Sequence, residues 1–281
     1  MIELGANRYG KRAIRLVKVV RGPAGHRVRD LTVDVALEGD FATAHTSGDN
    51  RLVVPTDTMK NTVYALAAEH LTGALEAFGT VLATHFLEFP QVGRSTVSLR
   101  EHRWTPIASA VGPAPDAFRR AGDATRTASV SATRDATLVE SGLEDLVVMK
   151  TAKSAFAGFP RDRYTTLADA HDRIMATKVT ATWRHAVPAV DWDASHEAIS
   201  ATLLEVFSAH ESESVQHSIW VMATAMLERH AEIDEVRMSL PNLHHWPVDL
   251  VPLGGANRGE IFVATIEPHG LIEATVRRPA S

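Results

Sequence analysis

Hydrophobic and polar residues alternate along the first part of the chain. Residues 12–21 and 28–37 are rich in β-branched side chains, and the turn signal Gly22-Pro23 lies between them. Alternation is typical of a strand with one buried face, and a turn signal between two such runs is typical of an antiparallel hairpin. The first segment therefore predicts a long hairpin that is half buried.

The hydrophobic period changes in the next segment. Within residues 57–87 apolar side chains recur every three or four positions, which predicts an amphipathic helical region. Gly73 and Gly79 predict one or two breaks in this region, and Pro90 predicts its end. Residues 96–101 return to alternation, so the predicted order is strand, strand, helix, strand.

The second half of the chain repeats this order. The predicted strands are residues 130–139, 146–150, 174–183, 233–240, 261–265 and 272–276, and the predicted helices are 197–207 and 215–227. The first two of these strands join around Ser141-Gly142. The duplication favours an α+β fold of two subdomains, 1–125 and 126–281, each an antiparallel sheet with helices on one face. Their seam lies near the weakly apolar stretch 112–127, and exposed sheet edges favour oligomerisation.

The composition restricts the classes of function. The 281 residues are 45% hydrophobic with a net charge of −5, which is typical of a globular chain and disfavours nucleic acid as a partner. The absence of cysteine excludes a disulfide scaffold, a Cys-ligated zinc site and a thiol nucleophile. No glycine motif for a nucleotide occurs. No apolar run is long enough for a membrane span and no signal peptide is recognisable, so we expect a cytoplasmic protein.

The stretch 55–61, at the start of the predicted long helix, allows two interpretations. A Thr or Asp before a helix is typical of a cap that satisfies free N–H groups. A helix amino terminus with a hydroxyl group and exposed amides is also typical of an anion site. The sequence leaves both interpretations open.

Two further stretches contain side chains suited to a planar anion. The aromatic stretch 156–159 and Arg173 offer a ring face and a guanidinium fork, although a core aromatic and a solvated charge pair explain them as well. Asn242 and His244 lie two positions apart in a predicted extended segment and therefore point to the same side. His244 and His245 could suggest zinc, but no third ligand occurs at a recognised spacing.

These stretches and several others resemble the urate oxidase (uricase) family. Eight motifs occur in the order and at the spacing of that family, from residue 9 to the carboxyl terminus. They are Tyr9-Gly10-Lys11, Gly48-Asp49-Asn50, Pro55-Thr56-Asp57-Thr58-Met59-Lys60-Asn61, Ser154-Ala155-Phe156-Ala157-Gly158-Phe159, Tyr164-Thr165-Thr166-Leu167, Asp172-Arg173-Ile174, Ser214-Val215-Gln216 and Pro241-Asn242-Leu243-His244. The resemblance implies tandem tunnelling folds (T-folds) in a homotetramer with active sites at subunit interfaces. It also implies oxidation of urate by O2 and water to 5-hydroxyisourate and H2O2 in purine breakdown, without a metal or an organic cofactor.

The resemblance assigns four residues to one side of the substrate. Phe156 would stack on the purine face, and Arg173 would form a forked pair of hydrogen bonds to one edge of urate. Gln216 would match an N–H beside a C=O with its side-chain amide, and Val215 would donate its backbone N–H. A planar acid lined by alternating N–H and C=O groups is a chemical match for such a set.

The remaining assignments concern proton transfer and oxygen. The hydroxyl group of Thr56 and the backbone of Asp57 would come from the neighbouring subunit and meet the five-membered ring. Lys11, Thr56 and His244 would form a proton relay, and Asn242 would hold O2 or water. Ground-state O2 is a triplet, so an oxidase without a cofactor must turn its substrate into the electron donor, here by removing a second proton from urate.

Two other functions stay open at the level of the sequence. A zinc-dependent T-fold enzyme acting on a pterin or purine would need a cluster of His or Cys ligands, which the sequence does not suggest. A non-catalytic purine-binding homologue would keep Phe156, Arg173 and Gln216 without the relay. The presence of Lys11 and Thr56 disfavours that second function.

Overall fold

The computed structural model describes residues 2–23, 25–110, 112–187 and 190–279. Helices and antiparallel strands make up the fold, and this confirms the α+β class that the sequence predicts. The chain separates into two compact units, residues 1–142 with 191–193 and residues 143–190 with 194–281. The assignment of 1–125 and 126–281 to two subdomains stays a prediction.

The elements are labelled in chain order. The strands are β1 (Tyr9–Gly22), β2 (Gly25–Gly39), β3 (Val92–Glu101), β4 (Trp104–Ser109), β5 (Gly112–Arg120), β6 (Thr125–Ala132), β7 (Thr137–Lys150), β8 (Met175–His185), β9 (Ile233–Leu243), β10 (His245–Pro247), β11 (Phe262–Ala264) and β12 (Leu271–Arg277). The helices are α1 (Ala42–Thr46), α2 (Thr56–His70), α3 (Leu75–Phe86), α4 (Trp192–Ala209) and α5 (Val215–Arg229), with a short 3₁₀ turn at Val251–Leu253.

In the first unit, β1, β2, β3 and β6 are neighbours in an antiparallel sheet. The predicted hairpin is confirmed, because β1 pairs with β2 from Tyr9 opposite Leu37 to Gly22 opposite Gly25. Every second side chain of β2 from Leu31 to Leu37 is buried, since this face of the sheet supports the core. Helix α2 packs on β1, and α3 packs on β3 and β6.

The long helical region is interrupted once, near Gly73, as predicted. The prediction of one or two breaks is therefore confirmed with one break, since Gly79 lies inside α3. A Cβ atom at that position would lie 2.9 Å from side-chain atoms of Leu99 and Val130 on the sheet. Glycine therefore serves the close approach of helix and sheet, and α3 continues through it.

Two predictions about the middle of the chain need correction. The predicted strand 130–139 is divided by a turn, in which the backbone N–H of Thr133 donates to the carbonyl oxygen of Ala136 over 2.8 Å. Ser141-Gly142 lies within β7 instead of forming a turn, and Ser141 donates to a carboxylate oxygen of Glu76 over 2.5 Å. The weakly apolar stretch near 112–120 forms β5, which pairs with β4 in an exposed hairpin that the sequence did not predict.

In the second unit, the later part of β7 is followed by β8, β9 and β12 as neighbours. Strand β9 pairs antiparallel with β8 and β12, and α5 packs on β9 and β12. The predicted strands 174–183, 233–240, 261–265 and 272–276 and the helix 215–227 are confirmed within a few residues, whereas α4 and β7 begin well before the predicted starts at 197 and 146. Trp183 is the largest fully buried side chain here. No helix in the described part of the chain is long and apolar enough to cross a membrane.

Candidate active site

A cavity of about 510 Å³ in the second unit contains six of the predicted site residues. They come from four separate segments. Its lining includes Phe156, Arg173, Val215, Gln216, Asn242 and His244, together with Leu167, Asp169, His245, Trp246 and Ile272. The fold thus brings together residues that lie far apart along the chain.

The segments that carry Phe156 and Arg173 are tied together by backbone hydrogen bonds. Phe156 and Ala170 exchange two N–H···O=C bonds of 2.7 and 2.9 Å. The backbone N–H of Arg173 donates to the carbonyl oxygen of Ser154 over 2.8 Å. Because these bonds join the two segments just before β8, the ring of Phe156 and the guanidinium group of Arg173 are held as neighbours.

Arg173 has no counter-ion within the described chain. Its Cζ atom lies 5.4 Å from the centroid of the Phe156 ring, and its buried Nε atom has no hydrogen-bond partner. Burial lowers the pKa of the Arg173 guanidinium group, since removal from water disfavours the charged form. A partly buried, unpaired cation is a site for an anionic ligand that can accept its N–H groups.

The amino terminus of α5 contributes Val215 and Gln216. Ser214 caps this helix, because its side chain accepts the backbone N–H of His217 over 3.1 Å. Val215 is buried and Gln216 is exposed at the first turn, where free N–H groups and the helix dipole favour a negative charge. The exposed carboxamide of Gln216 can therefore add a donor and an acceptor to the backbone N–H of Val215.

Asn242 and His244 lie on the same side of the chain, as predicted. The side-chain amide nitrogen of Asn242 lies 3.4 Å from Nδ1 of His244. Burial lowers the pKa of His244, and the positive charge of Arg173 and that of His269 act in the same direction. A neutral imidazole near pH 7 can accept a proton from a substrate or a relay.

Sequence reasoning missed some residues of this cavity. Trp246 stacks on His244, with ring centroids 5.1 Å apart and planes 23° apart. A tryptophan directly after the histidine pair was a usable sequence signal. Leu167 ends one of the eight motifs but was assigned no role, and Asp169 had no signal, because its place depends on the path of the loop before β8.

Lys11 lies beside a backbone irregularity in β1, in the first unit. The pairing of β1 with β2 shifts between Lys11 and Ile14, and a Cβ atom at Gly10 would lie 1.9 Å from the carbonyl oxygen of Val35. The hydroxyl group of Tyr9 accepts the N–H of Val54 over 2.8 Å and lies 3.2 Å from its carbonyl oxygen. These contacts tie the strand that carries Lys11 to the segment that leads into α2.

Thr56 and Asp57 form the first turn of α2. The cap position is Pro55, and no side chain caps this helix, so the capping interpretation is wrong. Asp57 instead pairs with Lys60, whose hydrogen bond and charge lower the pKa of the carboxyl group. The charge of Lys11 adds a smaller effect in the same direction. The first amides of α2 thus have no side-chain acceptor, and the anion-site interpretation stays a prediction.

The predicted site residues therefore fall into two sets. Lys11, Thr56 and Asp57 belong to the first unit, and the other six belong to the second. Their meeting across subunits stays a prediction. Over the described ranges, no group of three or more His, Asp or Glu side chains could hold a metal ion.

Comparison with known proteins bears on this arrangement. A family model described as Uricase matches residues 7–131 and 139–273. The chain belongs to the uricase family. A uricase from Arthrobacter globiformis is 43% identical over the whole chain and 91% of its own length. A uricase from Dictyostelium discoideum is 37% identical over the whole chain and 99% of its own length.

The solved structures agree with membership of the uricase family. The crystal structure of uricase from Arthrobacter globiformis matches this uricase-family chain with a TM-score of 0.94, covering 100% of this chain and 96% of that one. A urate oxidase structure from Bacillus sp. TB-90 matches with a TM-score of 0.82 at 23% identity, which supports the fold alone. The family extends over both units, so it includes both sets of candidate residues.

Proposed function

We propose that this chain is a urate oxidase, which converts urate, O2 and water into 5-hydroxyisourate and H2O2. Membership of the uricase family supports the reaction. The observation that supports this cavity as the site of the reaction is the guanidinium group of Arg173, which lies beside the ring of Phe156 without a counter-ion in the described chain. Urate is a flat anion, and this cavity offers a ring to stack on and a cation to pair with.

The second unit supplies the binding groups in this proposal. Phe156 stacks on the purine face, and Arg173 forks onto one edge. Gln216 matches an adjacent N–H and C=O pair through its carboxamide, and the backbone N–H of Val215 donates to the same ligand. A mismatched buried polar group costs roughly 1–3 kcal/mol, so this set discriminates urate from purines with a different edge.

The first unit supplies the proton relay, which acts from a neighbouring subunit. Thr56 takes a proton from urate, and Lys11 and His244 pass it on, because a hydroxyl group alone is a poor base at neutral pH. The resulting dianion gives an electron to O2, and the radical pair combines at C5 as a peroxide. Water then displaces H2O2, with Asn242 holding first O2 and later water. No metal or organic cofactor takes part.

The proposal includes a tandem T-fold that assembles as a homotetramer with active sites at subunit interfaces. Strand β1 is an edge strand with exposed valines, Val17 at 59% and Val19 at 37%. Such an edge is suited to cover by another chain. A cytoplasmic location also stays a prediction.

The test is a urate turnover assay in metal-free buffer. The expected result is loss of the ultraviolet absorbance of urate with one H2O2 formed per urate consumed, unchanged by a chelator. A rate abolished by chelation and restored by added metal would favour the zinc-dependent alternative. Urate binding without turnover would favour a non-catalytic purine-binding protein.

A further inference from the structure

A second aromatic ring lies behind the proposed stacking ring. Phe159 stacks on Phe156, with ring centroids 4.9 Å apart and planes 14° apart. The guanidinium Cζ of Arg161 in turn lies 4.8 Å from the centroid of the Phe159 ring. One face of Phe156 is therefore covered by Phe159, while the Phe156 ring itself lines the cavity.

The turn that brings Phe159 back onto Phe156 depends on Gly158. Its φ angle is +73°, in the left-handed region that favours glycine. Its backbone N–H donates to a carboxylate oxygen of Asp169 over 3.2 Å. Because Asp169 is next to Ala170, which pairs with the backbone of Phe156, the turn is anchored to the base of the cavity.

Arg161 closes the loop that follows this turn. One terminal nitrogen of its guanidinium group donates to the carbonyl oxygen of Leu167 over 2.8 Å, and the other lies 3.2 Å from Asp169. The Arg161 and Asp169 side chains are 48% and 43% exposed, and ion pairs that exposed contribute little to global stability. The contacts of Arg161 therefore act mainly on the local path of the loop and on the Phe159 ring.

Phe159 and Arg161 do not line the cavity, whereas Phe156, Leu167 and Asp169 do. We propose that Phe159 and Arg161 are positioning residues that hold the Phe156 ring at the angle at which a planar purine anion stacks on it. This inference rests on the proposed function, because it assigns these residues to the same substrate. A Phe156 ring that is already ordered loses less conformational freedom when urate binds, so its ordering raises the affinity for urate.

The variant Phe159→Leu removes the second aromatic ring. The variant Arg161→Gln removes the guanidinium group that contacts Leu167, Asp169 and the Phe159 ring. The conservative variant Phe159→Tyr keeps the stacked ring. Arg163→Gln is the matched control, because Arg163 lies in the same loop over the ring of Tyr164 and not over Phe159. For each variant we would measure kcat and KM, and the dissociation constant of urate without oxygen.

Phe159→Leu and Arg161→Gln are expected to raise the KM and the anaerobic dissociation constant about five- to tenfold, with kcat changed less than about twofold. Phe159→Tyr and Arg163→Gln are expected to behave like the wild type. A merely structural role would instead lower the amount of active enzyme at an unchanged KM.

Unchanged KM and dissociation constants in folded Phe159→Leu or Arg161→Gln would overturn the inference, as would an equal rise in Arg163→Gln. If Phe159→Leu fails to fold, the result for Arg161→Gln tests the inference alone, because the exposed side chain of Arg161 can be replaced without opening the core. Wild-type protein that neither binds nor oxidises urate would refute the proposed function itself. Wild-type turnover with unaffected variants would refute the positioning role alone.

Discussion

Replacement of Arg173 separates the binding role of this residue from any structural role. Its guanidinium group is partly buried beside Phe156 and has neither a carboxylate partner nor a partner for Nε within the described chain. A residue that stabilised the fold would be expected to have such partners. Arg173→Gln removes the charge and the fork, whereas Arg173→Lys keeps the charge and loses only the fork.

The expected loss of kcat/KM follows from the hydrogen bonds that the guanidinium group of Arg173 would donate to urate. A hydrogen bond to a charged group contributes about 1.5–3 kcal/mol, which corresponds to roughly ten- to 150-fold in kcat/KM. We expect Arg173→Lys near the lower end of this range and Arg173→Gln near the upper end. The melting temperature of Arg173→Gln should change by no more than about 2 °C, because no internal partner of the guanidinium group is left unpaired.

The assay is steady-state urate oxidation together with urate binding in the absence of oxygen. Both variants should bind urate more weakly in the order wild type, Arg173→Lys, Arg173→Gln. A folded Arg173→Gln variant with the kcat/KM of the wild type would refute the role of Arg173. So would a large drop in melting temperature with unchanged affinity, since it would reveal a structural residue.

Three further predictions concern the relay, the core and the dependence on pH. Thr56→Ala should lower kcat about 10²- to 10⁴-fold with a much smaller effect on urate affinity, and unchanged turnover would exclude Thr56 from the relay. Gly79→Val should destabilise the protein by about 1–3 kcal/mol, measured as a lower urea midpoint, because the helix must move from the sheet. Burial lowers the pKa values of His102, His210 and His244 below the ordinary 6.5. The folded state then binds fewer protons than the unfolded chain, so their contribution to stability is lost as the pH falls through 6.5 toward the lowered values. His210→Asn should flatten the decline of melting temperature over that window, and an unchanged slope would contradict this reasoning.

The sequence was sufficient for elements whose hydrophobic period is regular. The alternation in β2 and the helical period of α2 and α3 predict the observed elements because one face of each is buried against the same core. The strand boundary near Thr133 was missed because alternation continues through the turn. The hairpin of β4 and β5 was missed because its side chains are mostly exposed and carry no period.

The candidate site was predictable to the extent that it depends on local spacing and family resemblance. The common orientation of Asn242 and His244 follows from the two-residue period of extended chain, and the structure agrees. The stacking of Phe159 on Phe156 was not predictable, because a turn at Gly158 brings the two rings together. The buried Nε of Arg173, which has no hydrogen-bond partner among the described residues, likewise depends on tertiary packing.

A crystal structure of the protein soaked with urate in the absence of oxygen tests the central proposal most directly. The account predicts the purine ring stacked on Phe156, with one edge forked by Arg173 and another against Gln216. It also predicts that Thr56 of an adjacent subunit lies within hydrogen-bonding distance of urate, and that Lys11 of the same subunit lies within hydrogen-bonding distance of Thr56. Urate bound elsewhere, or bound here with Thr56 of every subunit out of reach, would contradict it.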